Sequence, residues 1–140
     1  MSVIKGLGAS GILIIDGKTL VIKRSMDDSE PGMWEFPKGK TDSGEEPNQT
    51  VIREFAEETG LKVKISKSLG LNHWGYKKEG NEHQVTESVY EVELADGERA
   101  DNIALSADHD QFKWVDADEL KTLEPMVEQR RQYLLESLGQ

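Results

Sequence analysis

Three glutamates in the middle of the chain are spaced in a way that suits metal binding. Glu54, Glu57 and Glu58 follow an i, i+3, i+4 pattern, which places all three carboxylates on one face of an α-helix. Like charges at this spacing destabilise a helix by about a few tenths of a kcal/mol per pair. Mg²⁺ and Mn²⁺ require converging oxygen ligands, with water and substrate oxygens completing the octahedron. The pattern therefore predicts a divalent-cation site, with Mg²⁺ as the cofactor and Mn²⁺ as a substitute.

The segment that carries these glutamates has clear helix boundaries. We predict a helix from Pro47 to Thr59, because proline suits the first helical position and Gly60 suits the left-handed residue after a helix. Glu46 is a weak N-cap residue. The opposite side of the helix is apolar and is predicted to pack on a sheet; its residues are Val51, Ile52, Phe55 and Ala56. The carboxylates would then have a rigid support, as a preorganised site requires.

A loop from Gly39 to Glu46 is predicted to precede this helix. Gly39 has no Cβ atom, so its backbone can approach a metal ion or a phosphate closely. Arg53 lies beside the glutamates and is predicted to hold Glu45 by a charge-assisted hydrogen bond. That contact would tie the loop to the helix.

Most of the remaining chain has the patterns of β-strands. Strands are predicted over Val3–Ile15, Thr19–Arg24, Trp34–Pro37 (a short extended piece), Leu61–Tyr76, Val85–Leu94 and Gln111–Val115. Asp16-Gly17 is a predicted hairpin turn, and the polar segment Lys77–Asn81 is predicted to join the two longest late strands.

Two further helices are predicted near the C-terminal end. Asp116–Glu119 has the form of a capping box that opens a brief helix. Pro125–Leu138 is predicted to be an amphipathic helix, with Val127, Leu134 and Leu138 among its apolar positions. Many strands with one central and one terminal helix predict an α+β fold, in which a mixed sheet lies between helices.

Composition and charge limit the classes of protein that fit. The 140 residues predict one domain, residues 1–140, and the longest apolar run, residues 11–15, is too short to span a membrane. The absence of cysteine excludes disulfides and thiol catalysis, and we expect a cytoplasmic location. The 17 basic and 27 acidic residues give a net charge of −10, the wrong sign for a nucleic-acid or anionic-membrane binder. Divalent cations would offset the repulsion between this charge and a phosphorylated substrate.

The loop and helix together form a longer pattern. It consists of Gly39, five residues, Glu45, seven residues and then the run Arg53-Glu54-Phe55-Ala56-Glu57-Glu58-Thr59-Gly60-Leu61. This pattern resembles the signature of the Nudix hydrolase family at every fixed position. The resemblance implies an α/β/α sandwich with a mixed sheet and the signature as a loop–helix–loop. It also implies hydrolysis of a nucleoside diphosphate linked to another moiety, by attack of water on phosphorus assisted by Mg²⁺ ions.

The resemblance also assigns roles to the residues of the pattern. It implies that Glu54, Glu57 and Glu58, with the carbonyl of Gly39, are the metal ligands. Glu54 would in addition accept a proton from the attacking water, and Glu57 counts with it among the catalytic residues. Arg53 and Glu45 would orient the other residues of the site.

The source of the general base differs within the family. Some members take a carboxylate from a loop before a late strand, and Asp108 lies in the matching place here, where glutamate is commoner. The general base is therefore predicted to be Glu54 or Asp108. The alternative reading of residues 106–110 is an ordinary polar loop. The three histidines have no ligand spacing and are predicted to be structural or exposed.

Two features favour a dinucleoside polyphosphate, and diadenosine polyphosphate in particular, as the substrate. Lys38, in Pro37-Lys38-Gly39, resembles the lysine of dinucleoside polyphosphate hydrolases. Trp74 and Tyr76 lie two apart on a predicted strand, so they face the same side and could stack on a base. Core packing is the alternative role for these aromatics.

Other assignments stay open. Residues 34–37 are equally typical of MutT-type triphosphatases, which act on oxidised purine nucleotides, and a catalytically silent domain that senses a nucleotide is a second alternative. In each case the expected partner is a small nucleotide, with no nucleic acid or membrane, and the chain is expected to be a monomer or a homodimer.

Overall fold

The computed structural model describes residues 2–140. Within them the strands are β1 (Val3–Ile15), β2 (Lys18–Arg24), β3 (Trp34–Glu35), β4 (Lys38–Lys40), β5 (Val63–Lys78), β6 (Asn81–Leu94) and β7 (His109–Val115). The helices are α1 (Pro47–Thr59), α2 (Ala117–Thr122) and α3 (Glu128–Ser137), with a short 3-10 helix at Ala100–Asn102. No helix in this part of the chain is long and apolar enough to cross a membrane.

The long strand β1 pairs with three other strands of the sheet. The strand order is β3-β2-β1-β6-β5, with β4 paired to β1 and β7 paired to β2. β1 runs parallel to β6 and antiparallel to β4, and its end forms an antiparallel hairpin with β2. The hairpin turn uses Asp16 and Gly17 at φ values of 52° and 76°, as a type I′ turn requires. The sheet is therefore mixed, as predicted.

Helices cover both faces of this sheet with separate hydrophobic cores. Helix α1 packs through Val51 and Phe55 on Ala9 and Leu13 of β1. The approach is close, since a Cβ atom at Gly11 would lie 2.6 Å from Cε2 of Phe55. On the other face, residues of α2, α3 and several strands form the second core. The predicted α+β sandwich is confirmed by this arrangement.

Local signals predicted α1 and β1 with the bounds that the structure shows, and Gly60 ends α1 at φ 74°. Several strand boundaries differ from their predictions. Lys38–Lys40 is strand β4, paired with β1, so the loop before α1 begins at Thr41. The turn between β5 and β6 is reduced to two residues, Glu79 and Gly80, because the pairing of the two strands extends to Lys78 and Asn81.

The terminal helix also differs from its prediction. It starts at Glu128 and not at Pro125, because the residues before Glu128 pair with Trp34 as a strand would. The Trp34 N–H donates to the Pro125 carbonyl at 2.9 Å, and Trp34 and Met126 form a β-bridge. Val127 is 44% exposed, so it does not contribute to the core.

The inward side of α3 carries two arginines as well as leucines. Arg130 and Arg131 are both buried, together with Leu134. Arg130 donates to both carboxylate oxygens of Glu87, at 2.5 and 2.7 Å, and Arg131 donates to the carbonyls of Leu120 and Leu123. Buried charges of this kind are tolerated only when they are paired.

Candidate active site

Arg53 connects the loop before α1 to the acidic face of the helix. Its Nε and Nη2 atoms donate to Glu45 at 2.8 and 3.0 Å, and Nη1 donates to Glu54 at 2.9 Å. Nη1 also reaches Glu57 at 3.3 Å, and Nη2 donates to the Lys40 carbonyl at 3.0 Å. The predicted bond between Arg53 and Glu45 is present. It lowers the pKa of Glu45 to about 2, with help from hydrogen bonds donated by Thr50 and the Asp42 N–H.

Gly39 and Glu54 are in direct contact between β4 and α1. A Cβ atom at position 39 would lie 2.1 Å from Oε1 of Glu54, so one of the two residues would have to move. Burial raises the pKa of Glu54, against the opposing effect of Arg53. The absence of a side chain at Gly39 is therefore what allows the loop to meet the acidic face of the helix.

Glu58 is the most strongly perturbed carboxylate of the three. Burial, and then the nearby charges of Glu35 and Glu54, raise its pKa to about 9. Its Oε1 accepts a hydrogen bond from the N–H of Lys38 at 3.2 Å, which links α1 to β4. A carboxylate in this environment is stabilised in its charged form by a cation.

The donor set fits a divalent cation in its chemistry. The helix supplies hard carboxylate oxygens, Glu58 carries a raised pKa, and the absence of a Cβ atom at Gly39 lets the Glu54 carboxylate approach the backbone of β4. Within residues 2–140, however, no three Asp, Glu, His or Cys side chains are gathered around one point. The Arg53 guanidinium donates to Glu54 and Glu57, while the backbone N–H of Lys38 donates to Glu58. The assignment of Gly39, Glu54, Glu57 and Glu58 as metal ligands therefore stays a prediction.

A cavity of about 340 Å³ opens on the Glu58 side of Gly39. The predicted residues that line it are Lys38, Gly39, Glu58, Trp74 and Asp108. Asp108, on the loop before β7, thus shares a cavity with the helix carboxylate Glu58 although 50 residues separate them in sequence. A larger depression of about 590 Å³ on the neighbouring sheet surface includes Trp74 but none of the signature residues.

Trp74 and Tyr76 face the same side of β5, as predicted, but they do not share the cavity. Their ring centroids are 5.7 Å apart, and Tyr76 also stacks on His83 at 4.6 Å. Tyr76 borders a smaller cavity of about 150 Å³. The Lys38 ammonium lies over the Trp74 ring at 5.3 Å from its centroid. Of these two aromatic residues, only Trp74 lines the cavity of about 340 Å³, where it could contact a ligand.

Sequence reasoning missed several polar residues that line this cavity, among them Arg24, Glu35 and His109. Glu35 is 5% exposed and His109 is 6% exposed. The sequence predicts structural or exposed histidines, and His109 is buried, with Nε2 3.0 Å from Glu35 Oε2. The one signal for Glu35 was a carboxylate within the apolar run Trp34-Glu35-Phe36. Nothing in the local sequence distinguished Arg24 or His109.

Opposing effects act on the buried carboxyl group of Glu35. Burial by itself would raise its pKa, but the hydrogen bond with His109 and the positive charges of Lys38 and Arg24 bring the pKa below its ordinary value. Glu35 is therefore charged near neutral pH, and these partners stabilise its buried charge.

The chain matches the family described as NUDIX domain over residues 6–137. It therefore belongs to the Nudix family. A Mycobacterium tuberculosis protein that carries the name mutator protein MutT4 is 31% identical over 99 residues, which is 71% of this chain and 39% of that protein. This chain thus spans well under half the length of that relative. Other relatives carry the names ADP-ribose pyrophosphatase and RNA pyrophosphohydrolase.

Solved structures share the fold. The MutT protein of Methanosarcina mazei Go1 has a TM-score of 0.76 at 20% identity, covering 99% of this chain and 96% of that one. An Ap4A hydrolase of C. elegans has a TM-score of 0.63 at 23% identity, covering 97% and 95%. At these identities the likeness supports the α+β Nudix-type fold and nothing finer.

Proposed function

We propose that this protein is a divalent-metal-dependent pyrophosphohydrolase that cleaves a diphosphate linkage in a nucleoside polyphosphate. The observation that carries the proposal is the convergence of three elements at one cavity. Glu58 comes from the signature helix, Lys38 and Gly39 come from β4, and Asp108 comes from the loop before β7. Carboxylates for a metal ion, a cation for phosphate and a candidate base are therefore within reach of one bound substrate.

Each group has a distinct role in the proposed reaction. Glu54, Glu57, Glu58 and the Gly39 carbonyl would hold Mg²⁺, which neutralises phosphate charge and lowers the pKa of water when it is bound. Water attacks phosphorus, a new P–O bond forms, and the bridging P–O bond of the diphosphate breaks. The water proton passes to Glu54 or to Asp108. Arg53 keeps Glu45, Glu54 and the Lys40 carbonyl in place during this step.

The preferred substrate in this proposal is a dinucleoside polyphosphate, with diadenosine polyphosphate as the first choice. Lys38 is 22% exposed and lines the cavity, so its ammonium is available to a long phosphate chain. Trp74 offers one aromatic face for an adenine, and stacking of this kind contributes about 1–3 kcal/mol per base. The proposed location remains the cytoplasm.

A MutT-type nucleoside triphosphatase is the second candidate, and a specific observation favours it. Tyr76 stacks on His83 and does not line the cavity that contains Lys38 and Glu58. Of the two aromatic residues, Trp74 alone is therefore available to stack on a base. A single nucleotide needs only one aromatic face, whereas the second base of a dinucleotide would have no aromatic partner among the described residues that line this cavity.

A substrate panel tests the proposal. Diadenosine tetraphosphate, ATP, ADP-ribose and an oxidised guanosine triphosphate are compared by kcat/KM with Mg²⁺, and the products are identified by mass. The highest kcat/KM is expected for diadenosine tetraphosphate, and Lys38→Gly should shift the ratio toward triphosphates. A preference for the oxidised nucleotide would select the second candidate. Hydrolysis of none of them would favour the catalytically silent alternative.

A further inference from the structure

A half-buried cluster of charged side chains lies next to Lys38. Glu35 of β3 accepts hydrogen bonds from Arg24 Nη1, at 3.1 and 3.3 Å, and its Oε2 lies 3.0 Å from His109 Nε2. Arg24 is held from its other side by Asp28, which accepts from Nε and Nη2 at 2.9 and 3.0 Å. The Glu35 carboxylate is thus fixed by residues of β2 and β7, and it has little freedom to rotate.

Lys38 extends from β4 across this cluster. Its ammonium is 3.9 Å from Glu35 Oε1 and lies over the Trp74 ring, 5.3 Å from the centroid. Its own N–H donates to Glu58. Both ends of the lysine are therefore held, the backbone by the signature helix and the ammonium by a carboxylate and an indole ring.

A free lysine side chain has four rotatable bonds, and ordering it on a ligand has an entropic cost. A lysine that is already ordered avoids that cost at the moment of binding. Arg24 pairs with both Glu35 and Asp28, so the Glu35 carboxylate has a positively charged partner besides Lys38. The ammonium can therefore turn toward a phosphate while Glu35 keeps the Arg24 contact.

We propose that Glu35 is a positioning residue, whose fixed carboxylate holds the Lys38 ammonium against Trp74 at the cavity so that it meets a phosphate of the substrate. The phosphate contact rests on the proposed function, whereas the placement of Lys38 by Glu35 can be tested without any substrate. Glu35 acts through Lys38 and does not itself contact the reacting atoms.

The first experiment measures the placement directly. In protein labelled with ¹³C at lysine, the ε-methylene signal of Lys38, identified by its loss in Lys38→Arg, should carry a ring-current shift from Trp74. The shift should disappear in Trp74→Leu and collapse toward the position of an exposed lysine in Glu35→Gln. A Lys38 signal that is unchanged in a folded Glu35→Gln protein would overturn the proposal. If Glu35→Gln does not fold, Glu35→Asp, which keeps the charge on a shorter arm, should displace the same signal.

The second experiment measures the functional coupling on the best substrate of the panel. Lys38→Met and Glu35→Gln should each lower kcat/KM by about tenfold to a hundredfold, mainly through KM, because a held phosphate contact is formed in the ground state as well. The double variant should be no worse than Lys38→Met alone, since Glu35 acts through that lysine. The exposed Lys67→Met is the control for loss of one positive charge and should leave KM near its original value.

The outcomes separate the two proposals. Effects of Glu35→Gln and Lys38→Met that multiply in the double variant would contradict the positioning role even in an active enzyme. Absence of hydrolysis in the whole panel would contradict the proposed function, and the Lys38 signal would still decide whether Glu35 positions the lysine.

Discussion

Gly39 and Glu54 are in such close contact that a Cβ atom on residue 39 would lie 2.1 Å from Oε1 of the glutamate. The two residues belong to β4 and α1, so this contact joins the strand to the signature helix. Any side chain at position 39 must displace the Glu54 carboxylate or move β4 away from α1.

Gly39→Ala should therefore abolish the proposed hydrolysis while the fold is retained. We expect kcat to fall by about a hundredfold or more, because displacing a preorganised charged group by an ångström or so has effects of this size. Gly6→Ala is the matched control. It lies on β1 with no heavy atom within 4 Å of the added methyl group, and its kcat should remain close to that of the original protein. Normal turnover by Gly39→Ala would remove this contact from the site.

Glu57→Gln and Glu58→Gln should each lower kcat by about a hundredfold or more, because metal-held charge is the main catalytic contribution in the proposed reaction. Hydrolysis should stop in excess chelator and return with Mg²⁺. Circular dichroism of both variants should match the original protein. A variant with near-normal turnover would not be a ligand.

Mg²⁺ should raise the melting temperature, because it binds the folded state and offsets the negative charge on the glutamate face of α1. Saturation at a hundredfold excess over Kd would add about 2.7 kcal/mol to the free energy of unfolding. The increase should be smaller in Glu58→Gln, and Ile52→Ala, on the exposed part of α1, should keep it. An unchanged melting temperature at saturating Mg²⁺ would contradict a preformed site.

The contact between Glu45 and Arg53 should make stability depend on pH in the acidic range. Hydrogen bonds from Arg53, Thr50 and the Asp42 N–H lower the pKa of Glu45 to about 2 from 4.5. The stabilisation is therefore complete above pH 4.5 and is lost as the pH falls through about 2. Urea unfolding at pH 7, 4.5 and 3 should show Glu45→Gln to be less stable at the first two values, with a smaller difference at pH 3. A difference that grows as the pH falls would contradict this assignment.

Arg130→Leu should destabilise the protein by about 3–5 kcal/mol, because it leaves the Glu87 carboxylate buried without its partner. Glu87 is 2% exposed and Arg130 is 7% exposed. The double variant Arg130→Leu/Glu87→Leu should recover most of the loss, since two apolar side chains replace the pair. Urea unfolding at neutral pH measures both values. Equal destabilisation of the single and double variants would mean that packing, and not the unpaired charge, dominates.

The signature helix was predictable from the sequence because its determinants are local. Periodicity sets the i, i+3, i+4 face of glutamates, and a proline and a glycine mark the ends of α1. The hydrogen bond between Arg53 and Glu45 was predictable for a related reason: Glu45 lies eight residues before Arg53 and only two residues before the start of α1, so few alternative geometries exist. Hydrogen bonds of 2.8 and 3.0 Å confirm it.

The tertiary structure alone decided which distant residues meet at the cavity. Glu35 and His109 are 74 residues apart, and they are brought together because β3 and β7 both pair with β2. The same pairing brings Asp108 to the cavity, while the contact of Tyr76 with His83 keeps that tyrosine outside it. Local patterns determine what one helix or strand presents on a face. The order and register of strands depend on burial summed over the whole sheet, and so the partners of Lys38 emerge only when the chain is folded.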